Sequence, residues 1–300
     1  MGGHVATVFA AAGHEVIALS RRDGLDLLDP LSALASVKAA SPDLVVNAAA
    51  HVGSLNYVTD NAAEVCHDNA VMLANTYAAL ASLRRPVKVV NPLANCTYPG
   101  DANPQVEAQW LDGPMHPSVA PYGAARRFGW ELSRTYRQKG VSTLNLIVPN
   151  AYGPGDSDDP NRTHALNGMV IRMLRAKAAG DAEFVVWGTG RPVREWIYMP
   201  DFAQFVLGIV ESGTFDLPDP LNLAQGRGYS VRETAEAVKA AVGFEGELRF
   251  DTGKQDGAPI KVMDPTLFRK HFSVVFTPLS YGIKATVEYY TGLLAKTQKQ

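Results

Sequence analysis

Few side chains in this 300-residue chain could move protons or grip phosphate, and their spacing groups them. Cys96 stands two residues before Tyr98, and His164 stands eight residues before Arg172. An imidazole can take or return a proton near neutral pH, and a thiol can do so as a base once its pKa is lowered. Tyr122 stands four residues before Arg126, which is one helical turn; a cation there can lower the pKa of a phenol. Arg21 and Arg22 are adjacent, and a planar guanidinium suits a phosphate group. Each feature also has a plain structural reading. Cys96 can be a small buried apolar residue, and His164 a capping or core histidine. Arg21 and Arg22 can be a solvated turn, Arg172 an exposed helix charge and Trp187 a core residue.

The elements that must position these groups alternate between two hydrophobic periods. Residues 2–12 read as a helix that stops at Gly13, and the apolar run 14–20 (HEVIALS) reads as a buried strand. Helices follow over 30–40, 61–83 and 122–139. Strands are expected in DLVVNAA from Asp43, PVKVVN from Pro86 and STLNLIVPN from Ser142. This alternation implies right-handed crossovers, hence an α/β fold with a Rossmann-like, doubly wound parallel sheet. After Pro154 the pattern breaks. Residues 155–163 are polar and loop-like, a helix lies near 169–179, and EFVVWG is an isolated strand; the end of the chain (LLAKTQKQ) reads as a polar tail. The expected organisation is a dinucleotide-binding domain at 1–154 and a smaller C-terminal substrate domain at 155–300, with 195–225 returning to the first lobe. A nucleotide-binding fold of this kind opens with a strand and a Gly-rich turn before its first helix. This chain opens at MGGH, already at the helix; if Gly2 is the last glycine of that turn, the first strand is missing from the pattern, and the plain alternative is a flexible N-terminus.

Composition narrows the functional classes. The hydrophobic share of 46% and the formal charge of −2 describe an ordinary globular chain without the basic excess of nucleic-acid or membrane-surface proteins. Two cysteines, Cys66 and Cys96, argue against a disulfide framework or a multi-cysteine metal site and suit a reducing cytoplasm. No apolar run reaches the ~18 residues a membrane helix needs, and the N-terminus lacks a signal-peptide pattern. No metal site is expected.

A family resemblance rests on particular motifs: SRRDGLDLLD at 20–29, NAAAHVG at 47–53, NCTYP at 95–99, PYGAAR at 121–126, NAYGP at 150–154 and VVWGTGRPVREWIYMPD at 185–201. In order and spacing the chain resembles the extended short-chain dehydrogenase/reductases of NAD-dependent epimerase/dehydratase type. More narrowly it resembles the GDP-L-fucose synthases, which are GDP-4-keto-6-deoxymannose 3,5-epimerase/4-reductases. The likeness runs from Gly2 to about Tyr290. It implies NADP bound by Gly2, Arg21, Arg22, Asp26 and Leu27, with Tyr122 and Arg126 at the redox tyrosine and lysine positions. It implies proton exchange at C3 and C5 by Cys96 and His164. Asn150, Arg172, Trp187, Arg194 and Lys261 would bind the nucleotide sugar, and His51, at a position of different type in the family, could face the sugar. It also implies a homodimer through a four-helix bundle. Two departures bear on the chemistry: Ala94 stands at the serine position, and Arg126 replaces a lysine. Both speak against ketone reduction, because a methyl group donates no hydrogen bond and a planar fork does not reproduce an ammonium. Asn95 or Thr97 could stand in for the serine. Three readings remain open: an epimerase without reduction, a full NADPH-dependent epimerase/reductase, and a non-catalytic sugar-nucleotide binder.

Overall fold

A computed structural model describes residues 1–159, 162–254 and 256–297. Helix α1 (Gly2–Ala11) is followed by α2 (Pro30–Ala40), whose N-cap Asp29 accepts hydrogen bonds from the Leu31 and Ser32 amides, with Pro30 fitting the first turn. Strand β1 (Leu44–Val46) leads into the short α3 (Leu55–Asp60) and the long α4 (Ala62–Ala81). Then come β2 (Val87–Ala94), α5 (Ala120–Tyr136), β3 (Val141–Val148) and β4 (Asn150–Tyr152). The rest of the chain forms α6 (Ala165–Ala179), β5 (Glu183–Trp187), β6 (Val193–Tyr198), α7 (Met199–Ser212), β7 (Leu221–Asn222) and β8 (Gly228–Ser230). It ends with α8 (Val231–Val242), β9 (Glu247–Asp251), β10 (Ile260–Lys261), α9 (Thr266–His271) and α10 (Leu279–Thr297).

The main sheet runs β1-β2-β3-β7 and is parallel throughout. Its strands are apolar on both faces: Val87, Val89, Val90 and Leu93 of β2 and Leu144, Leu146 and Ile147 of β3 are all buried. That pattern belongs to a sheet covered on both sides by helices. Helices α4 and α5 cross closely because Gly129 has no Cβ; one built there would meet the Leu73 side chain at 2.6 Å. A second sheet has the order β10-β6-β4, with β8 antiparallel to β6. Its register sets Lys261 beside Arg194 and Asn150 beside Trp196. One apolar core joins α1, α7 and the main sheet, and another joins α6, α8, α10 and β5. No described helix is long and apolar enough to cross a membrane.

Three expectations are corrected. Residues 14–20 form no strand: they have no regular secondary structure and are exposed, with Ile17 at 52% relative exposure. β1 is the edge of the main sheet, and no other described strand offers residues 14–20 a ladder. β-branched side chains alone do not make a strand, because a strand exists through its partner. EFVVWG is not isolated: β5 pairs with β9 in parallel, Val185 opposite Arg249, and sequence periodicity cannot reveal a partner that far along the chain. The C-terminal stretch is helical through Thr297 rather than a tail, and residues 298–300 lie outside the described residues. The expected loop at 155–163 includes Pro160 and Asn161, which lie outside them as well.

Candidate active site

At its C-terminal end β2 runs into a 3₁₀ turn, Asn95–Thr97, which carries Cys96. This is the end of a parallel sheet where ligands of such folds gather. The turn is pinned by Thr97, whose hydroxyl donates to the Ala94 carbonyl at 2.7 Å and accepts from Trp110 Nε1 at 2.8 Å. Gly123 lets the start of α5 press against it, since a Cβ there would lie 3.2 Å from the Cys96 carbonyl oxygen. Cys96 shares a small pocket with Lys261, His116, Asn95 and Gln105. Burial pushes the Cys96 thiol up from its ordinary value, opposed by the positive charges of Lys261, Arg126 and Arg127. Burial likewise pushes Lys261 down; Cys96 opposes that shift and Arg194 adds to it. His116 is pushed down by burial and by the charges of Lys261 and Arg194, which favours the neutral imidazole.

Tyr122 and Arg126 lie on α5 as the spacing requires, with the guanidinium carbon 5.0 Å from the centre of the Tyr122 ring. Arg126 is only 3% exposed. Its Nη2 donates to the Ala49 carbonyl at 3.2 Å and to Asn69 Oδ1 at 3.3 Å, while its buried Nε has no partner among the described residues. Asn69 Oδ1 also accepts from the His51 amide. The His51 ring is held between Asp68 and the Tyr57 hydroxyl, each at 2.8 Å. Hydrogen bonds from His67 and His51 hold the Asp68 carboxyl below its usual range against a smaller opposing effect of burial.

The structure seats His164 elsewhere. It is the N-cap residue of α6, and its amide and Nδ1 both bond Asp156, the amide at 2.9 Å. Burial opposes ionisation of Asp156, but the hydrogen bonds and charge of His164 and the Asn167 amide outweigh it and bring its pKa to about 2. Among the described residues His164 does not line the Cys96 pocket.

The remaining expected residues divide. Lys261 lies at the Cys96 pocket, and Arg194 is beside it across the β10–β6 register. Burial brings the Arg194 guanidinium down to about 10 against the charge of Asp256, and its Nη2 donates to the Asp256 carbonyl. Asn150 Nδ2 donates to the Glu195 carbonyl, which joins β4 to β6. Arg172 is half-buried, its guanidinium carbon 5.0 Å from the Phe184 ring centre and 5.1 Å from that of Trp187. Trp187 is 52% exposed, so it is not a core residue, and with Arg172 it forms an open cation–aromatic surface. Asp26 and Leu27 serve a local turn: Asp26 Oδ1 accepts from the Leu28 amide, and the Leu27 carbonyl accepts from Asn75. Gly2 opens α1, and a Cβ there would come within 3.3 Å of Ala48.

Two places in the chain hold cationic donors of the kind that suits a phosphate-bearing dinucleotide. Arg21 and Arg22 lie in an exposed 3₁₀ turn capped by Ser20, and among the described residues their side chains make no hydrogen bond or ion pair. The orphaned Arg126 Nε is a donor awaiting an acceptor beside Tyr122. Sequence reasoning missed His116, which sits in the Pro/Gly-rich segment between β2 and α5, and Asp156, which is hidden in the acidic run GDSDD. It also missed the pairing of His51 with Asp68 and Tyr57. A lone histidine or carboxylate in a loop carries no periodicity that would single it out.

The chain is similar in sequence and fold to known proteins. Residues 1–224 match the family described as NAD dependent epimerase/dehydratase family. The chain is 31% identical over 277 residues to a probable GDP-L-fucose synthase 1 of Oryza sativa subsp. japonica, covering 92% of this chain and 84% of that one. It is 28% identical over 287 residues to the GDP-L-fucose synthase of Escherichia coli, covering 93% and 89%. A crystal structure of a GDP-L-fucose synthetase from Naegleria fowleri bound to NADP superposes with a TM-score of 0.86 at 26% identity, covering 98% of this chain and 91% of that one. On these grounds the chain belongs to the NAD dependent epimerase/dehydratase family, as an enzyme of the extended short-chain dehydrogenase/reductase type.

Proposed function

We propose that this enzyme is a nucleotide-sugar epimerase acting on a GDP-linked, or other NDP-linked, 4-keto-6-deoxy sugar. The observation that carries the reading is the pocket at the end of β2, where the Cys96 thiol and the Lys261 ammonium meet. A proton next to a ketone is acidic only if the enolate oxygen is stabilised, and a buried ammonium supplies that stabilisation. Cys96 exchanges a proton on one face of the sugar ring. His164, held by Asp156, serves the other face at C3 and C5. Arg194 and Arg172 take the diphosphate, Trp187 stacks on the base, and Asn150 shapes the floor between β4 and β6. The sugar lies between a lobe at 1–154, to which 195–225 return, and a lobe at 155–300. The names of the relatives support a GDP-linked substrate.

Ketone reduction is weak or lost in this reading. Ala94 offers no hydroxyl, and the Nη2 of Arg126 is already bonded to Ala49 and Asn69. Arg21, Arg22 and the Arg126 Nε, which have no side-chain partner among the described residues, favour the alternative in which NADPH is bound. When bound, that cofactor supplies hydride to the C4 carbon. Arg126 and Tyr122 then hold the ribose and the C4 oxygen, and Arg21 and Arg22 hold the 2′-phosphate.

The test is direct. Purified protein is incubated with GDP-4-keto-6-deoxymannose in D₂O with and without NADPH. NMR follows deuterium at C3 and C5, and loss of NADPH absorbance follows reduction. Deuterium uptake without NADPH consumption is the expected result. Consumption matched to product would restore the full epimerase/reductase, and no uptake would overturn the epimerase reading. The enzyme works in the cytoplasm as a homodimer, with the outer faces of α4 and α5 forming a four-helix bundle. Light scattering is expected to give twice the 32.3 kDa chain mass, and a particle of single-chain mass would refute the dimer.

A further inference from the structure

Two residues that line the Cys96 pocket each carry a buried polar atom that nothing among the described residues satisfies: Asn95 Nδ2 and Gln105 Oε1. Asn95 is 4% exposed and Gln105 3% exposed. Buried polar atoms are almost always paired, so two orphans in one pocket call for a group that pairs them. The Gln105 amide is oriented by its own bond, Nε2 donating to the Asn95 carbonyl at 3.3 Å, which leaves Oε1 as the free acceptor. Its backbone is locked as well, donating to the Val262 carbonyl and accepting from the Asp264 amide. The neighbouring hydroxyl at Thr97 cannot take the donor's role, because it already donates to Ala94 and accepts from Trp110.

One donor and one acceptor together narrow the ligand's chemistry to a group that both accepts and donates. A carboxylate or the diphosphate of a nucleotide sugar has no hydrogen to offer Gln105. A simple ketone satisfies Asn95 and leaves Gln105 unpaired. A ketone with a hydroxyl on the next carbon satisfies both. We propose that Asn95 and Gln105 form a clamp for an α-hydroxyketone, the Asn95 amide donating to the carbonyl oxygen and the Gln105 carbonyl accepting from the adjacent hydroxyl. The clamp rests on the epimerase reading and makes it specific. When the C–H proton leaves for the base, the carbonyl oxygen gains negative charge, shared between the Asn95 N–H and the Lys261 ammonium. The charge returns to carbon when a proton is delivered to the other face, so no oxidant or reductant is consumed. Asn95 thereby acts where Ala94 cannot.

The experiment compares Asn95→Ala, Asn95→Ser and Asn95→Asp with the parent protein in the D₂O exchange assay, with thermal melting run in parallel. Asn95→Ala is expected to cut the exchange rate by about 10²–10³-fold with little change in KM, since the bond strengthens as charge develops. Asn95→Asp, similar in shape but without the donor, is expected to fall at least as far. Asn95→Ser, which keeps a donor, should recover part of the loss. Gln105→Met should reduce the parent's preference for the α-hydroxyketone over its deoxy analogue by about tenfold or more. Exchange in Asn95→Ala and Asn95→Asp within threefold of the parent would overturn the clamp and leave the epimerase reading standing. If Asn95→Ala fails to melt cooperatively, Asn95→Asp and Asn95→Ser decide the question. Absence of exchange in the parent itself would remove the epimerase reading and the clamp with it.

Discussion

Cys96→Ala is expected to lower solvent-deuterium exchange at C3 and C5 by roughly 10²–10⁴-fold, the usual contribution of one positioned acid or base. The substitution removes the sulfur from a turn whose shape is held by Thr97 and Trp110, so the fold should survive it. The pH profile of the parent assigns the thiol's role. Burial holds Cys96 above the ordinary thiol value despite Lys261, Arg126 and Arg127. The folded protein therefore keeps the thiol protonated at neutral pH. If the thiolate is the working base, the rate climbs about tenfold per pH unit through neutrality and shows no plateau below the ordinary thiol pKa of ~8.5. If the thiol is the working acid, the rate is flat over the same range and the base lies on the opposite face. An exchange rate indifferent to Cys96→Ala would remove the residue from the mechanism altogether. His164→Asn and His116→Asn, measured side by side, separate the histidine on Asp156 from the one in the Cys96 pocket.

The largest effect on stability is expected at Glu195, which never touches the proposed substrate. Its side chain is fully buried, and its carboxylate accepts three backbone amides, from Gln225 at 2.6 Å, Gly226 at 3.1 Å and Met263 at 2.9 Å. Glu195→Ala leaves those three N–H groups without partners in a place water does not reach. Each orphan costs about 1–3 kcal/mol, so the loss in unfolding free energy should be about 3–9 kcal/mol, far beyond an ordinary substitution. Urea denaturation would read it. Glu233→Ala is the contrasting control: Glu233 is exposed and completes the capping box of α8 with Ser230, so about 1 kcal/mol is expected there. A Glu195→Ala protein within 1 kcal/mol of the parent would contradict the assignment. The loss should also reach the site, because Met263 follows Lys261 by two residues and Arg194 precedes Glu195 directly.

Much of this was legible in the chain. The Asp29-Pro30 start of α2 and the buried apolar runs of β2 and β3 follow from local capping and period, which depend on neighbours a few residues away. The Tyr122–Arg126 pair was legible for the same reason, since four residues on a helix bring two side chains together wherever the helix lies. The segment at 14–20 was misread because its Val, Ile and Leu residues carry the composition of a strand without the partner that makes one. Trp187 could be read as core or as surface from its apolar strand, and only the packing of β5 on β9 leaves it open beside Arg172.

Local sequence thus determined the element types, the alternation that makes a parallel sheet, and the residue kinds able to do proton and phosphate chemistry. Tertiary structure decided which of them meet. Cys96 and Lys261 are 165 residues apart and share a pocket through the register of β10 on β6. The same packing seats His164 on Asp156, brings His116 to the thiol and leaves Asn95 Nδ2 and Gln105 Oε1 unpaired. Contacts across such distances depend on sheet order, register and loop paths. Burial, which sets the protonation of Cys96, Lys261 and His116, exists only once those contacts have formed.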